Sequence, residues 1–235
     1  LATGQIGRPG AGPFSITGQP NAMGGREVGG LANLLSAHRD MANPDHRAEV
    51  AALWGVPDVP ATPGKSAVEL FRALKSGEVK AVWIACTNPA QSLPDQALVH
   101  EALQAAEFVI VQEAFGHTET CAYADLLLPA TTWGEKDGTV TNSERAISRV
   151  RAAVPAPGEA RHDWAIVVDF ARRLGARLGK GELAAQMFPY TTPEEVWNEH
   201  RESTRGRDLD ITGLSYAMLE AVGPQQWPFP EGASQ

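Results

Sequence analysis

Between residues 65 and 131 three short, unbroken apolar runs alternate with helical stretches, and that rhythm admits few folds. The runs are "AVWIACTNP" (81–89), "FVIVQE" (108–113) and "DLLLPAT" (125–131). A strand open to water on one face alternates apolar with polar residues; a strand apolar throughout is covered on both faces. Before the first run, "GKSAVELFRALKSGE" sets Ser66 and Glu69 in capping-box spacing and Ala67, Leu70, Phe71 and Leu74 on one stripe, and it stops at Gly77. "PDQALVHEALQAAE" (94–107) is the next helix, with Pro94 at its start, and "HTETCAYAD" reads as a short helix ahead of the third run. Strand, helix, strand, helix, strand with such strands predicts a three-layer α/β/α lobe on a mainly parallel sheet.

On either side the rhythm changes. Residues 1–60 read as a glycine-rich loop and lead-in segment, in which "GRPGAGPFSITGQPNAMGGREVGG" shows little periodicity. Irregular segments of that length are usually functional or linkers. Residues 61–235 read as the α/β lobe, with an excursion at about 132–162 where glycines, charges and "VPAPGEA" intervene. Beyond it, "DWAIVVDFARRLGARLG" (163–179) predicts a helix with Trp164, Val167, Val168, Ala171 and Leu178 on one face. "TPEEVWNEHRE" (192–202) carries Thr192, Pro193 and Glu195 in capping order, and a last helix runs from about Ser215 to Gly223.

The balance of 20 basic against 28 acidic residues, net −8, argues against a nucleic-acid partner or a membrane surface, both of which need a basic patch. No apolar run approaches the roughly 20 residues that span a bilayer, and no signal peptide is visible at Leu1. The two cysteines, Cys86 and Cys121, fit no paired motif, so a reducing cytoplasm is the expected location. The chain opens without Met inside a loop, which reads as an internal piece of a longer protein.

Familiar motifs fail on spacing. "GGREVGG" lacks both the spacing and the preceding strand of a dinucleotide fingerprint. Gly64-Lys65-Ser66 ends like a phosphate loop, but Val59 stands where its first glycine belongs, so a helix start is the expected role. The six histidines show no metal-ligand spacing. The carboxyl ends of the strands are more informative, because ligands of parallel α/β sheets collect there. Asn88, Ser92, Gln112 and Glu113 converge on that edge; each alone serves as a turn or cap, and together they point to a nucleotide-like ligand. Arg26, flanked by Gly24, Gly25 and Gly29, admits two readings: an oxyanion binder on close-approaching backbone, or an exposed arginine paired with Glu27.

Three stretches carry a resemblance. "TGQIGRPGAGPFSITGQPNAMGGREVGG", "DLLLPATTWGEKDGTVTNSERAISRVRAAVPAPGEARHDWAIV" and the closing "QQWPFP" resemble the catalytic subunits of bacterial assimilatory nitrate reductases. These belong to the molybdopterin oxidoreductases that carry molybdenum as bis(molybdopterin guanine dinucleotide). The resemblance implies that Gln19, preceded by Gly18, lies beside the molybdenum and that Arg26 stands in the nitrate pocket. It implies cofactor contacts from Gly18, Gln19, Asn88, Ser92, Gln112, Glu113, Lys136 in "WGEKDG" and Asp163 in "RHDW", and also from Met41 and Asn43 in "DMANPDHR". Thr17 stands where formate dehydrogenases of the same family have arginine, which favours nitrate over formate. A non-catalytic nucleotide-binding module is the third reading.

The resemblance also implies what this stretch lacks. The four-cysteine iron–sulfur motif and the cysteine ligand of molybdenum are absent, and so is a closing C-terminal domain. The implied partners are nitrate, the remainder of the subunit and an electron-donor protein. The 235-residue chain by itself is expected to be inactive and empty of cofactor.

Overall fold

The computed structural model describes residues 2–11 and 19–233. The glycine-rich stretch is not all loop: helix α1 occupies Ala22–Glu27. Gly24 and Gly25 hide it, since glycine costs about 1 kcal/mol against alanine inside a helix. An antiparallel pair, β1 (Leu34–Leu35) and β2 (Arg39–Asp40), and helix α2 (Pro44–Trp54) follow. Asn43 caps α2, its Oδ1 accepting from the amides of Asp45 at 2.9 Å and His46 at 3.4 Å. Leu35, Val50, Ala51 and Val59 form a small core here, with Met41 packed against it.

The predicted lobe comes next. Helix α3 (Ala67–Lys75) starts at Ser66 with the full capping box to Glu69, and Gly77 follows its end at φ 78°. Strand β3 (Ala81–Ala85) leads to a single turn, α4 (Pro89–Ser92), and then to α5 (Gln96–Ala105). The cap of α5 is Asp95, which accepts from the Leu98 amide at 3.3 Å, so Pro94 lies before the helix rather than in its first turn. Strand β4 (Phe108–Glu113), a 3₁₀ turn at Thr120–Tyr123 and β5 (Leu126–Pro129) complete the sheet. Its order is β3-β4-β5, all parallel, with Val82 opposite Val109 and Val111 opposite Leu127. Phe71, Leu74, Val99, Leu103, Val109 and Val111 form the core between this sheet and α3 and α5.

The stretch that breaks the rhythm becomes a second sheet. After a 3₁₀ turn at Trp133–Glu135, β6 (Gly138–Thr141) and β7 (Ala146–Val150) pair antiparallel, Gly138 opposite Val150. Helix α6 (Asp163–Arg177) returns across the other face of the parallel sheet, where Phe170 meets Trp83 edge-on at 4.8 Å. Its inward residues are Ile166, Val168 and Gly175, while Val167 and Leu178 of the expected stripe are 44% and 63% exposed. A single stripe does not describe α6 because it is clasped twice, by the sheet and by α7 (Gly181–Met187). A Cβ on Gly175 would lie 2.3 Å from the Ala184 Cβ of α7.

Helix α8 (Pro193–Ser203) carries the predicted capping box between Thr192 and Glu195, and α9 (Tyr216–Val222) the predicted last helix. Strand β8 (Gln225–Gln226) then joins β7, Ala146 opposite Gln226. Ile147, Trp197, Leu209, Leu214, Tyr216 and Trp227 are the heart of this second core, with Ala37 and Met23 against it. Among the described residues no helix is long and apolar enough to cross a membrane.

Candidate functional site

Gly24 in α1 and Gly29 just after it serve the chain's own packing. A Cβ on Gly24 would lie 2.1 Å from Asn21 Oδ1, and that oxygen accepts from the Thr141 amide at 2.8 Å. Gly29, at φ 82°, would place a Cβ 2.7 Å from the Leu35 carbonyl carbon. The close approach that sequence suggested for a ligand is therefore, at these two positions, an approach to the Asn21 side chain that is bonded to β6 and to the backbone at the end of β1. Arg26 sits in the last turn of α1, exposed, and among the described residues no ion pair holds it. Glu27, its imagined partner, turns inward and is 3% exposed.

At the carboxyl edge of the parallel sheet the chain assembles a polar knot. Gln112, the fifth residue of β4 and 2% exposed, donates from Nε2 to Asp163 Oδ1 at 2.8 Å. Lys136 Nζ reaches Asp163 Oδ2 at 3.3 Å and lies 4.9 Å from the centre of the Trp133 ring. Cys86, held at φ 58° just past β3, points its thiol at the same carboxylate, 3.6 Å away. Burial and that neighbouring anion push the Cys86 thiol up to about 11, so it stays protonated. Asp163 is the first residue of α6, where the positive end of the helix dipole favours a carboxylate. The Oε1 of Gln112 is buried without a hydrogen-bond partner among the described residues, as is the Nε1 of Trp83. Orphaned buried polar atoms are rare and call for an explanation.

The other edge residues have local duties. Asn88 Oδ1 accepts from the amide and hydroxyl of Thr120 at 3.1 and 2.6 Å, tying the β3 end to the 3₁₀ turn. Ser92 donates back to the Asn88 carbonyl at 3.0 Å, and Glu113 accepts from the amides of Ala114 and Phe115. Met41 and Asn43 belong to the small core and the α2 cap; neither lines the cavities described next. Gly18 and Thr17 lie outside the described residues, and Gln19 stands exposed just ahead of α1.

Two hollows meet at Asp163. One, of about 690 Å³, is walled by Trp83, Cys86, Gln112, Asp163, Trp164 and Tyr190. The other, of about 360 Å³, is walled by Asn21, Gly24, Glu27, Lys136, Asp163 and His200, among others. Helix α1 lines the smaller hollow and the end of β4 the larger, and Asp163 and Trp164 at the start of α6 line both. The structure brings Gln112, Lys136 and Asp163 together; α1 shares the smaller hollow with Lys136 and Asp163 through Gly24 and Glu27, while Arg26 lines neither hollow.

Set beside known proteins, the Molybdopterin oxidoreductase model matches residues 1–173. The chain belongs to the molybdopterin oxidoreductase family. It is 49% identical over 236 residues to the nitrate reductase of Klebsiella oxytoca, covering 97% of this chain and 26% of that protein. It is 47% identical over 230 residues to the nitrate reductase of Synechocystis sp., covering 97% of this chain and 31% of that protein. The chain therefore spans between a quarter and a third of the length of these relatives. Among solved structures, acetylene hydratase from Pelobacter acetylenicus superposes with a TM-score of 0.55 over 77% of this chain and 23% of that one, at 20% identity; the likeness is one of fold.

Sequence reasoning singled out Gln112, Lys136 and Asp163 of this knot. It missed Cys86 and the buried group under α1. There, Glu27 accepts from Thr141 Oγ1 at 2.9 Å and from Trp227 Nε1 at 2.6 Å. Burial holds the Glu27 carboxyl above the ordinary carboxylate range, the two donors offsetting part of the shift. His200 is pushed down to about 4, first by burial and then by the nearby His38. No local pattern marks these residues, because Thr141 and Trp227 stand 114 and 200 residues further along the chain.

Proposed function

We propose that this chain is the part of an assimilatory nitrate reductase catalytic subunit that holds one guanine dinucleotide arm of the molybdenum cofactor and forms one wall of the nitrate pocket. The observation that carries the reading is the knot at Asp163. A guanine base presents two adjacent N–H donors, and the knot offers acceptors at one place: the Asp163 carboxylate and the unpartnered Gln112 Oε1. Lys136 adds a positive charge beside them, suited to a phosphate of the same arm. Asn88, Ser92 and Glu113 shape the loops on that edge, and Gln19 and Arg26 belong to the pocket side.

The molybdenum group, when bound, supplies the redox chemistry of nitrate reduction; the protein binds, orients and neutralises charge. Arg26 sits exposed at the end of α1, on the helix whose Gly24 and Glu27 line the hollow but not itself among the lining residues, and its guanidinium suits a planar oxyanion. Electrons reach the site from a donor protein through iron–sulfur centres elsewhere in the subunit, and the enzyme works in the cytoplasm.

The test uses the full subunit. Native mass spectrometry is expected to find molybdopterin guanine dinucleotide in the wild type and at most about half as much in Asp163→Ala, where the knot loses its anion. Full occupancy in Asp163→Ala, or a different nucleotide in the wild type, refutes the assignment of this edge. Nitrate and formate are assayed side by side, and oxidation of formate without reduction of nitrate replaces the substrate proposed here.

A further inference from the structure

The hollow beneath α1 has a wall for which the reading above gives no task. Glu27 already accepts from Trp227 and Thr141, so it is anchored. His200 Nε2 lies 3.9 Å from Glu27 Oε2, beyond hydrogen-bond reach, and both ring nitrogens of His200 are buried without a partner among the described residues. Both residues line the hollow. At 3.9 Å the two groups share no direct hydrogen bond. A buried carboxyl and an unsatisfied imidazole held just apart, facing one space, are arranged to exchange a proton with something in it.

The charged surroundings are mixed. His38, by the β1–β2 turn, pairs with the exposed Asp208 at 3.0 Å and stands edge-on to Trp227. Lys136, Asp137, His162 and Asp163 also line the hollow, and Arg149 covers the Tyr216 ring at 3.8 Å. Arg201, next to His200 on α8, is turned to the Leu214 carbonyl. Among the described residues no lysine or arginine pairs with Glu27, and burial favours its protonated form, as it favours neutral His200.

We propose that Glu27 and His200 hold a proton at the wall of this hollow and deliver it to a small oxyanion bound there. The proposal rests on the nitrate reading. Nitrate, two electrons and two protons give nitrite and water: one N–O bond breaks and its oxygen leaves as water. The electrons come from the reduced molybdenum–pterin group, one of the two protons comes from the Glu27 carboxyl, and the other comes from solvent. Once a small side-chain rotation closes the 3.9 Å gap, neutral imidazole relays the Glu27 proton by accepting on one nitrogen and donating from the other. Glu27 is left as carboxylate and is reprotonated from solvent.

In the full, cofactor-loaded subunit, Glu27→Gln keeps the shape. Its amide oxygen takes the Trp227 N–H and its amide nitrogen faces Thr141, whose hydroxyl turns to accept. Nitrate turnover, kcat, is expected to fall about 100-fold, the size of a lost proton donor. KM should stay within about twofold and the group's limb of the pH–rate profile should vanish; His200→Gln should act the same way. Unchanged kcat and pH profile in Glu27→Gln overturn the proposal. A second measurement stands apart from activity: infrared difference titration of the wild type, with Glu27→Gln as reference, follows the C=O stretch of the protonated carboxyl. A midpoint above that of free glutamate supports the proposal; one at or below it overturns it. A loaded wild type that makes no nitrite sinks the nitrate reading, and the infrared midpoint still decides whether the pair holds a proton.

Discussion

Arg26 and Glu27 are neighbours in sequence with opposite fates. One stands in solvent at the end of α1, and the other is buried under it. That split separates binding from stability. An exposed arginine without a partner contributes little to the fold, whereas a guanidinium bonded to a bound anion is worth about 1.5–3 kcal/mol. In the full subunit, Arg26→Ala is therefore expected to raise KM for nitrate about tenfold to 100-fold while melting temperature and molybdenum content hold. Steady-state kinetics beside metal analysis checks this, and an unchanged KM makes Arg26 a surface charge. The sequence left these two readings of Arg26 open because it suggested Glu27 as a surface partner. The buried side of Glu27 depends on Trp227, 200 positions away, which no local spacing encodes.

At the scale of elements, legibility followed locality. The capping boxes at Ser66 and Thr192, the stop at Gly77 and the run Phe108–Glu113 are written in neighbouring residues, and the structure has them where the sequence puts them. Helix α1 was hidden because two of its six residues are glycines, and the buried face of α6, not the helix itself, was misread because two different elements clasp it. The reason for one of those glycines is geometric, and it yields a paired prediction. Alanine at Gly24 forces Asn21 off the Thr141 amide, leaving an N–H unpaired beside a residue that is 4% exposed. That costs about 1–3 kcal/mol, against a gain of about 1 kcal/mol in helix propensity, so Gly24→Ala destabilises. At Gly25 a Cβ meets nothing within 4 Å, and Gly25→Ala stabilises by up to about 1 kcal/mol. Thermal denaturation of the two variants reads the sign directly. Two shifts of the same sign would mean that α1 is not docked on β6 as described.

Across the whole molecule, the parallel sheet was legible because each strand is continuous in sequence. The second core was not, because it gathers the β6–β7 hairpin, α8, α9 and β8 from a span of nearly a hundred residues. The buried imidazole of that region makes its stability depend on pH. His200 titrates near 4 when folded and near 6.5 when free. Between those values the unfolded state binds a proton that the folded state refuses, so stability is complete above about 6.5 and drains as pH falls toward 4. Glu27 has the opposite sign: its raised folded value gives stability at low pH that is lost as pH rises through that value. From pH 7 to pH 5 the His200 contribution alone is about 2 kcal/mol. Amide hydrogen exchange in the full subunit, corrected for intrinsic rates, is expected to show the opening free energy of α8 and α9 falling by roughly that amount in the wild type. In His200→Gln, which has no proton to refuse, the fall should be smaller by the same amount. Parallel pH dependence in the two proteins would place His200 in contact with water and would remove the enclosed wall on which the Glu27–His200 pair depends.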